Sequence, residues 1–162
     1  MPYIQKQQRR RYGTGKTTHT NYVLYYHLTW AVEEGLPLIT QEVEDALKKF
    51  LVKKCNALEI ILIAVEMAEN HLHMILSLKP THYIPEVVQK LKGSSSHFIN
   101  NHTNMDVTLY WERGYSIRTI SEMNLDNAKH YVLNQKKHHG IEGKMSPSKA
   151  GLKSALGTSQ TP

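Results

Sequence analysis

The sequence predicts an α+β domain of the ferredoxin-like kind: a split βαβ sandwich whose antiparallel sheet carries helices on one face, with one more helix at the C-terminal end. Two observations lead there. Apolar residues recur at strand spacing and at helix spacing in the order strand, helix, strand, strand, helix, strand, helix. The chain has 162 residues with 40% hydrophobic content, which suits one compact core and leaves little room for a second.

The elements follow in chain order. Tyr22 to Trp30 is aromatic and β-branched enough for a buried strand. Thr40 offers an N-cap, and behind it Val43, Ala46, Leu47, Phe50 and Leu51 form the stripe of an amphipathic helix. Leu58 to Met67 and His71 to Leu78 read as adjacent antiparallel strands, because the intervening Ala68-Glu69-Asn70 is short enough for a hairpin. Pro85 opens a second helix through Val87, Val88, Leu91, Phe98 and Ile99, with Gly93 and three serines expected to loosen its middle. Ser116 to Ile120 is a fourth strand, and a third helix is expected from an Asn124 cap to a stop at Gly140.

The ends differ in character from this middle. Residues 1–20 carry Lys6, Arg9, Arg10, Arg11 and Lys16 with no acidic residue, which reads as a flexible basic arm. Residues 141–162, rich in Lys, Ser, Gly and Pro, read as a disordered tail, leaving 21–140 as the functional domain. No run approaches the roughly 18 apolar residues of a membrane span, and the N-terminus lacks an apolar signal core, so a soluble cytoplasmic protein without a membrane partner is expected. The single cysteine, Cys55, excludes an internal disulfide and a cysteine-based zinc site, and is expected to be a small half-buried helix residue. Twenty Lys and Arg against 14 Asp and Glu give a surplus of +6, which makes a polyanion such as nucleic acid a plausible partner.

Ten histidines direct attention to metal spacing. On a strand, side chains two apart share a face about 6–7 Å apart, so His71 and His73 project together while Leu72 turns to the core. Two imidazoles can thus converge on one ion, with a third ligand supplied from elsewhere. Tyr131 and Gln135 lie four apart on the last helix, stacked on one face beside the stripe of Leu125, Ala128 and Val132. Taken singly, each pair also fits an ordinary strand face and an ordinary half-buried helix border.

Together the motifs resemble those of the single-tyrosine HUH transposases of the insertion sequence 200/605 group. They are His71-Leu72-His73 in a strand, Trp111-Glu112-Arg113-Gly114-Tyr115 before the fourth strand, Tyr131-Val-Leu-Asn134-Gln135 in the last helix, and Leu91-Lys92-Gly93-Ser94 in the second. The similarity spans about Tyr22 to His139. One departure is visible: where such proteins often carry Met-Pro-Asp before the first histidine, this chain has Ala68-Glu69-Asn70. The resemblance implies that His71, His73 and Gln135 are metal ligands and that Tyr131 is the nucleophile of a DNA transposase. It further implies a 5′-phosphotyrosine link with a free 3′-hydroxyl, single-stranded DNA with hairpin ends as substrate, and a homodimer in which the tyrosine helix serves either its own or its partner's metal.

The chemistry agrees with that assignment. Two imidazole nitrogens and one amide oxygen form an incomplete shell suited to Mg²⁺ or Mn²⁺, with positions left for phosphate oxygens and water. Such an ion polarises the scissile phosphate and offsets charge in the transition state. A tyrosine of ordinary pKa is phenolate in only about one molecule in a thousand at pH 7, so it needs activation. Lys136 or a metal-bound water could supply it. Lys90, Lys92, Arg113, Arg118 and Lys136 are candidates for phosphate contacts, with Tyr115 or Trp111 for base stacking.

Three other readings compete. Gly13-Thr14-Gly15-Lys16-Thr17-Thr18 suggests a phosphate-binding loop, but Arg10 stands where the first glycine is needed and a strand follows instead of a helix. His27-Leu28-Thr29 is half of the paired signature of metal-free two-histidine phosphoesterases, whose second copy fails because position 73 is His. A non-catalytic, RNA-recognition-like binding module needs only the fold and the charge. A transposase-derived nuclease kept by a host for another task is chemically the same hypothesis as the transposase.

Overall fold

A computed structural model describes residues 22–102 and 104–134. The basic arm, the Gly13–Thr18 stretch, Gln135, Lys136, the expected stop at Gly140 and the tail lie outside the described residues. Within them the elements come in the expected order: β1 (Tyr25–Ala31), α1 (Gln41–Ala57), β2 (Ile61–Ala68), β3 (His71–Ser77), α2 (Ile84–His102), β4 (Ser116–Ile120) and α3 (Leu125–Leu133). The sheet order is β2-β3-β1-β4 and every pairing is antiparallel, so β1 and β3 form its centre. No helix among the described residues is long and apolar enough to cross a membrane.

Strand alternation sorts the side chains into two layers. Leu28 and Trp30 of β1, with Leu72, Met74 and Leu76 of β3, pack under α1 and α2 against Val43, Leu47, Leu51, Leu91 and Ile99. Phe50 and Phe98 stack between those two helices at 4.6 Å. On the opposite face Ile63, Ala64 and Ile75 meet Leu125 and Val132 of α3. A register shift between Leu62 and Ala64 adds a residue to β2 there, so that Ile63 and Ala64 both join this second cluster. Thus α1 and α2 cover one face, and the short α3 is held on the other by a small apolar seam.

Local chemistry explains the element ends. Thr40 Oγ1 accepts the Val43 N–H at 3.4 Å, the cap expected for α1. Beyond α1 the chain reverses at Glu59, which takes the left-handed conformation at φ 56°. Cys55 is fully buried, deeper than the half-buried position expected, and burial pushes its thiol up to about 12.

Two helix expectations need correction. The anticipated loosening of α2 around Gly93 is absent: Ser94, Ser95 and Ser96 each donate to a carbonyl three or four residues back, at Lys90 or Lys92, and the helix runs unbroken. Asn124 does precede α3, but its side chain makes no capping bond; a 3-10 turn over Glu122–Asn124 leads the chain in instead.

The β2–β3 hairpin is tight. Ala68 pairs with His71, leaving Glu69 and Asn70 as a two-residue turn. Neither has a positive φ, so this is not one of the primed turns that match strand twist unaided. The turn is tied instead to the segment between β1 and α1: Val32 N–H donates to Asn70 O at 2.7 Å and Ile39 N–H to Glu69 O at 2.8 Å.

Candidate active site

The face beneath α3 carries the chemistry. His71 and His73 project from β3 on that face, their ring centroids 5.0 Å apart. The central strand β1 runs alongside in a register that sets Thr29 opposite His73 and Ala31 opposite His71. This brings His27 onto the same face, where its Nε2 lies 2.9 Å from Nδ1 of His73 and the two rings stack at 5.1 Å.

Tyr131 comes to these rings from above. Val132, fully buried, and Leu125 seat α3 on the sheet, and Tyr131 is carried at the border of that seam, about half exposed. Its ring stands nearly perpendicular to those of His73 and His27, at 6.3 and 6.2 Å. A tyrosine and a histidine pair separated by 58 residues in sequence are thereby neighbours on one chain.

One cation stands beside these rings. Arg118 of β4 stands opposite His27 in the register. Burial first, and the Arg118 guanidinium second, hold the His27 pKa below the ordinary imidazole value. The site therefore favours a neutral imidazole at His27 beside a fixed cation suited to an anionic ligand.

No group of three or more His, Cys, Asp or Glu that could hold a metal ion occurs among the described residues. His27 does not make a third ligand with its Nε2 turned to His73. The donor chemistry nevertheless fits part of a metal shell: two imidazoles on adjacent same-face positions, with the third donor expected from an amide. That amide, Gln135, is two positions past Leu133 in sequence and lies outside the described residues.

The other candidates separate. Arg118 shares the face of the histidines, whereas Lys90 and Lys92 belong to α2 in the opposite layer. Lys90 pairs with Glu86 at 2.6 Å on the surface. Lys92 Nζ donates to the carbonyls of Glu112 and Gly114, the latter at 2.8 Å, and desolvation lowers its pKa. Both bonds tie α2 to the Trp111–Tyr115 segment. Trp111 packs edge-on against Trp30 at 5.9 Å and donates to Ser95 Oγ at 3.0 Å, while Arg113 and Tyr115 are exposed. Asn100 completes the tether by bonding both backbone groups of Leu109.

Sequence reasoning set His27 aside as half of a different signature, and the structure places it in the centre of this site. The signal that would have found it is the β1–β3 register, which no local pattern in either strand displays.

Comparison with known proteins identifies the family. The family model described as "Transposase IS200 like" matches residues 20–135. The chain is similar to the ISDra2 transposase TnpA of Deinococcus radiodurans, 32% identical over 121 residues that cover 70% of this chain and 85% of that one. Its fold is similar to the crystal structure of a Deinococcus radiodurans protein described as a transposase, with a TM-score of 0.58, 30% identity, and 75% of this chain and 97% of that chain covered. A REP-associated tyrosine transposase bound to a REP hairpin shares the fold at a TM-score of 0.57 and 14% identity, covering 78% and 76% of the two chains. The chain belongs to the IS200-like transposase family.

Proposed function

We propose that this protein is a metal-dependent transposase of single-stranded DNA that cleaves and rejoins strands through Tyr131. The observation that carries this reading is the position of the Tyr131 ring beside the His71–His73 pair of its own chain. His71, His73 and Gln135 would hold Mg²⁺ or Mn²⁺, which when bound supplies a Lewis acid for the scissile phosphate.

In the cleavage step the Tyr131 oxygen forms a bond to phosphorus, and the bond from phosphorus to the 3′-oxygen breaks. The departing oxygen keeps the electron pair and takes a proton, leaving a 3′-hydroxyl and a 5′-phosphotyrosine. The phenol proton passes to a base, for which Lys136 and a water in the site are the two candidates. Rejoining is the reverse displacement: a 3′-hydroxyl attacks the phosphotyrosine, and the proton returns to Tyr131. Because the ester conserves the phosphodiester bond energy, no ATP is needed. The position of Arg118 opposite His27 supports a role in attracting the strand's phosphates electrostatically.

One catalytic tyrosine per chain handles one cleavage at a time, which supports a homodimer as the working unit. The substrate proposed is a single strand carrying hairpin ends, in line with the hairpin held by the REP-associated protein of the same fold. Incubating the full chain with labelled hairpin-bearing oligonucleotides tests the reading. A denaturant-resistant adduct that forms with Mg²⁺ or Mn²⁺ and disappears with chelator supports it; metal-independent binding without cleavage favours a binding module instead.

A further inference from the structure

A histidine binds a metal ion through one ring nitrogen, and the other, carrying the proton, needs an acceptor that fixes tautomer and ring orientation. Both histidines of the pair have such a contact at the same atom. His71 Nδ1 lies 2.7 Å from Asn70 Oδ1, and His73 Nδ1 lies 2.9 Å from His27 Nε2.

The Asn70 amide is itself oriented. Its Nδ2 donates to the carbonyl of Gly35 at 3.2 Å, which leaves the oxygen toward His71. Gly35 presents that carbonyl from a left-handed pair, Glu34 at φ 58° and Gly35 at φ 67°, a conformation that glycine adopts without steric cost. An amide oxygen only accepts, so the proton of this contact sits on His71 Nδ1. The same backbone segment ties down the hairpin turn, since Val32 N–H donates to Asn70 O. Asn70 is thus fixed on its main chain and its side chain together.

We propose that Asn70 and His27 are positioning residues that hold His71 and His73 as Nδ1–H tautomers, making Nε2 the metal-ligating nitrogen of both. The inference rests on the metal reading above. His27 accepts through Nε2 and carries its own proton on Nδ1. The two ligands take their acceptors from different parts of the fold, one from the hairpin turn and the other from the neighbouring strand. Asn70 supplies a neutral acceptor, so His71 is oriented without adding negative charge to a site that must admit phosphate.

The test uses the full chain with ¹⁵N-labelled histidine, free of metal and at about pH 8, where ordinary imidazoles are neutral. Long-range ¹H–¹⁵N spectra should show a protonated Nδ1 and an unprotonated Nε2 at His27, His71 and His73. Titration with Mn²⁺ should then give a Kd raised about ten- to a hundredfold by Asn70→Ala and by His27→Leu. Asn70→Asp and His27→Gln, which return an oxygen acceptor, should restore affinity in proteins whose amide spectra remain native. An Nε2–H tautomer at either ligand in the wild type overturns the proposal, as does an unchanged Kd in both acceptor-removing variants. Failure of the wild type to bind Mn²⁺ at all removes the metal reading and this inference with it, an outcome distinct from binding that ignores Asn70 and His27.

Discussion

The Tyr131 ring meets the His73 imidazole edge-on, with centroids 6.3 Å apart and planes at 82°. That relationship depends on the seam beneath α3, a helix of nine residues whose buried anchors are Leu125 and Val132. The position of the proposed nucleophile is therefore sensitive to packing that never touches DNA.

Val132→Ala removes two methyl groups from a fully buried position and should cost about 1.5 kcal/mol. Because the seam is small, adduct formation should fall more than oligonucleotide affinity. Urea unfolding and a comparison of adduct rate with DNA binding check the two parts separately.

Lys48 lies buried between two acids, with Nζ at 2.6 Å from Glu44 and 2.8 Å from Glu66. Replacing it with Met leaves two carboxylates inside without their shared cation, and should destabilise the fold by about 3–5 kcal/mol. Burial acts to lower the Lys48 pKa, but hydrogen bonds to Glu44 and Glu66 and their charges outweigh it and raise the value. A raised folded pKa means that the stabilisation is complete below 10.5, the ordinary lysine value, and is lost as pH climbs beyond it. Urea midpoints of wild type and Lys48→Met should therefore differ by a constant amount near neutrality and converge at strongly alkaline pH.

A Cβ added at Gly93 meets nothing within 4 Å, and α2 is unbroken there. Gly93→Ala should stabilise the protein by about 0.5–1 kcal/mol, read from thermal or urea unfolding. A loss of stability would show that the middle of α2 departs from a regular helix.

These cases mark what the sequence made legible. Periodicity located β4 at Ser116–Ile120 and the Thr40 cap of α1, because alternation and capping are local properties. His71 and His73 were legible for the same reason: strand spacing alone puts them on one face. His27 was not, because its place beside His73 depends on a pairing between strands 46 residues apart. Nor does a surplus of lysines reveal which are already engaged, and Lys92, read as a phosphate contact, spends its ammonium on the carbonyls of Glu112 and Gly114. The serines after Gly93 suggested a loosened helix, whereas their hydroxyls bond within it.

The bond proposed between Tyr131 and DNA is covalent, and so survives denaturation. Full-length wild type and Tyr131→Phe, each incubated with a 3′-labelled cognate hairpin-bearing single strand and Mn²⁺, should be resolved under denaturing conditions and the linked residue mapped by mass spectrometry. The expected result is an adduct on Tyr131 in the wild type and none in Tyr131→Phe, which should still bind the strand. An adduct of undiminished yield in Tyr131→Phe, or one mapped to another residue, contradicts it.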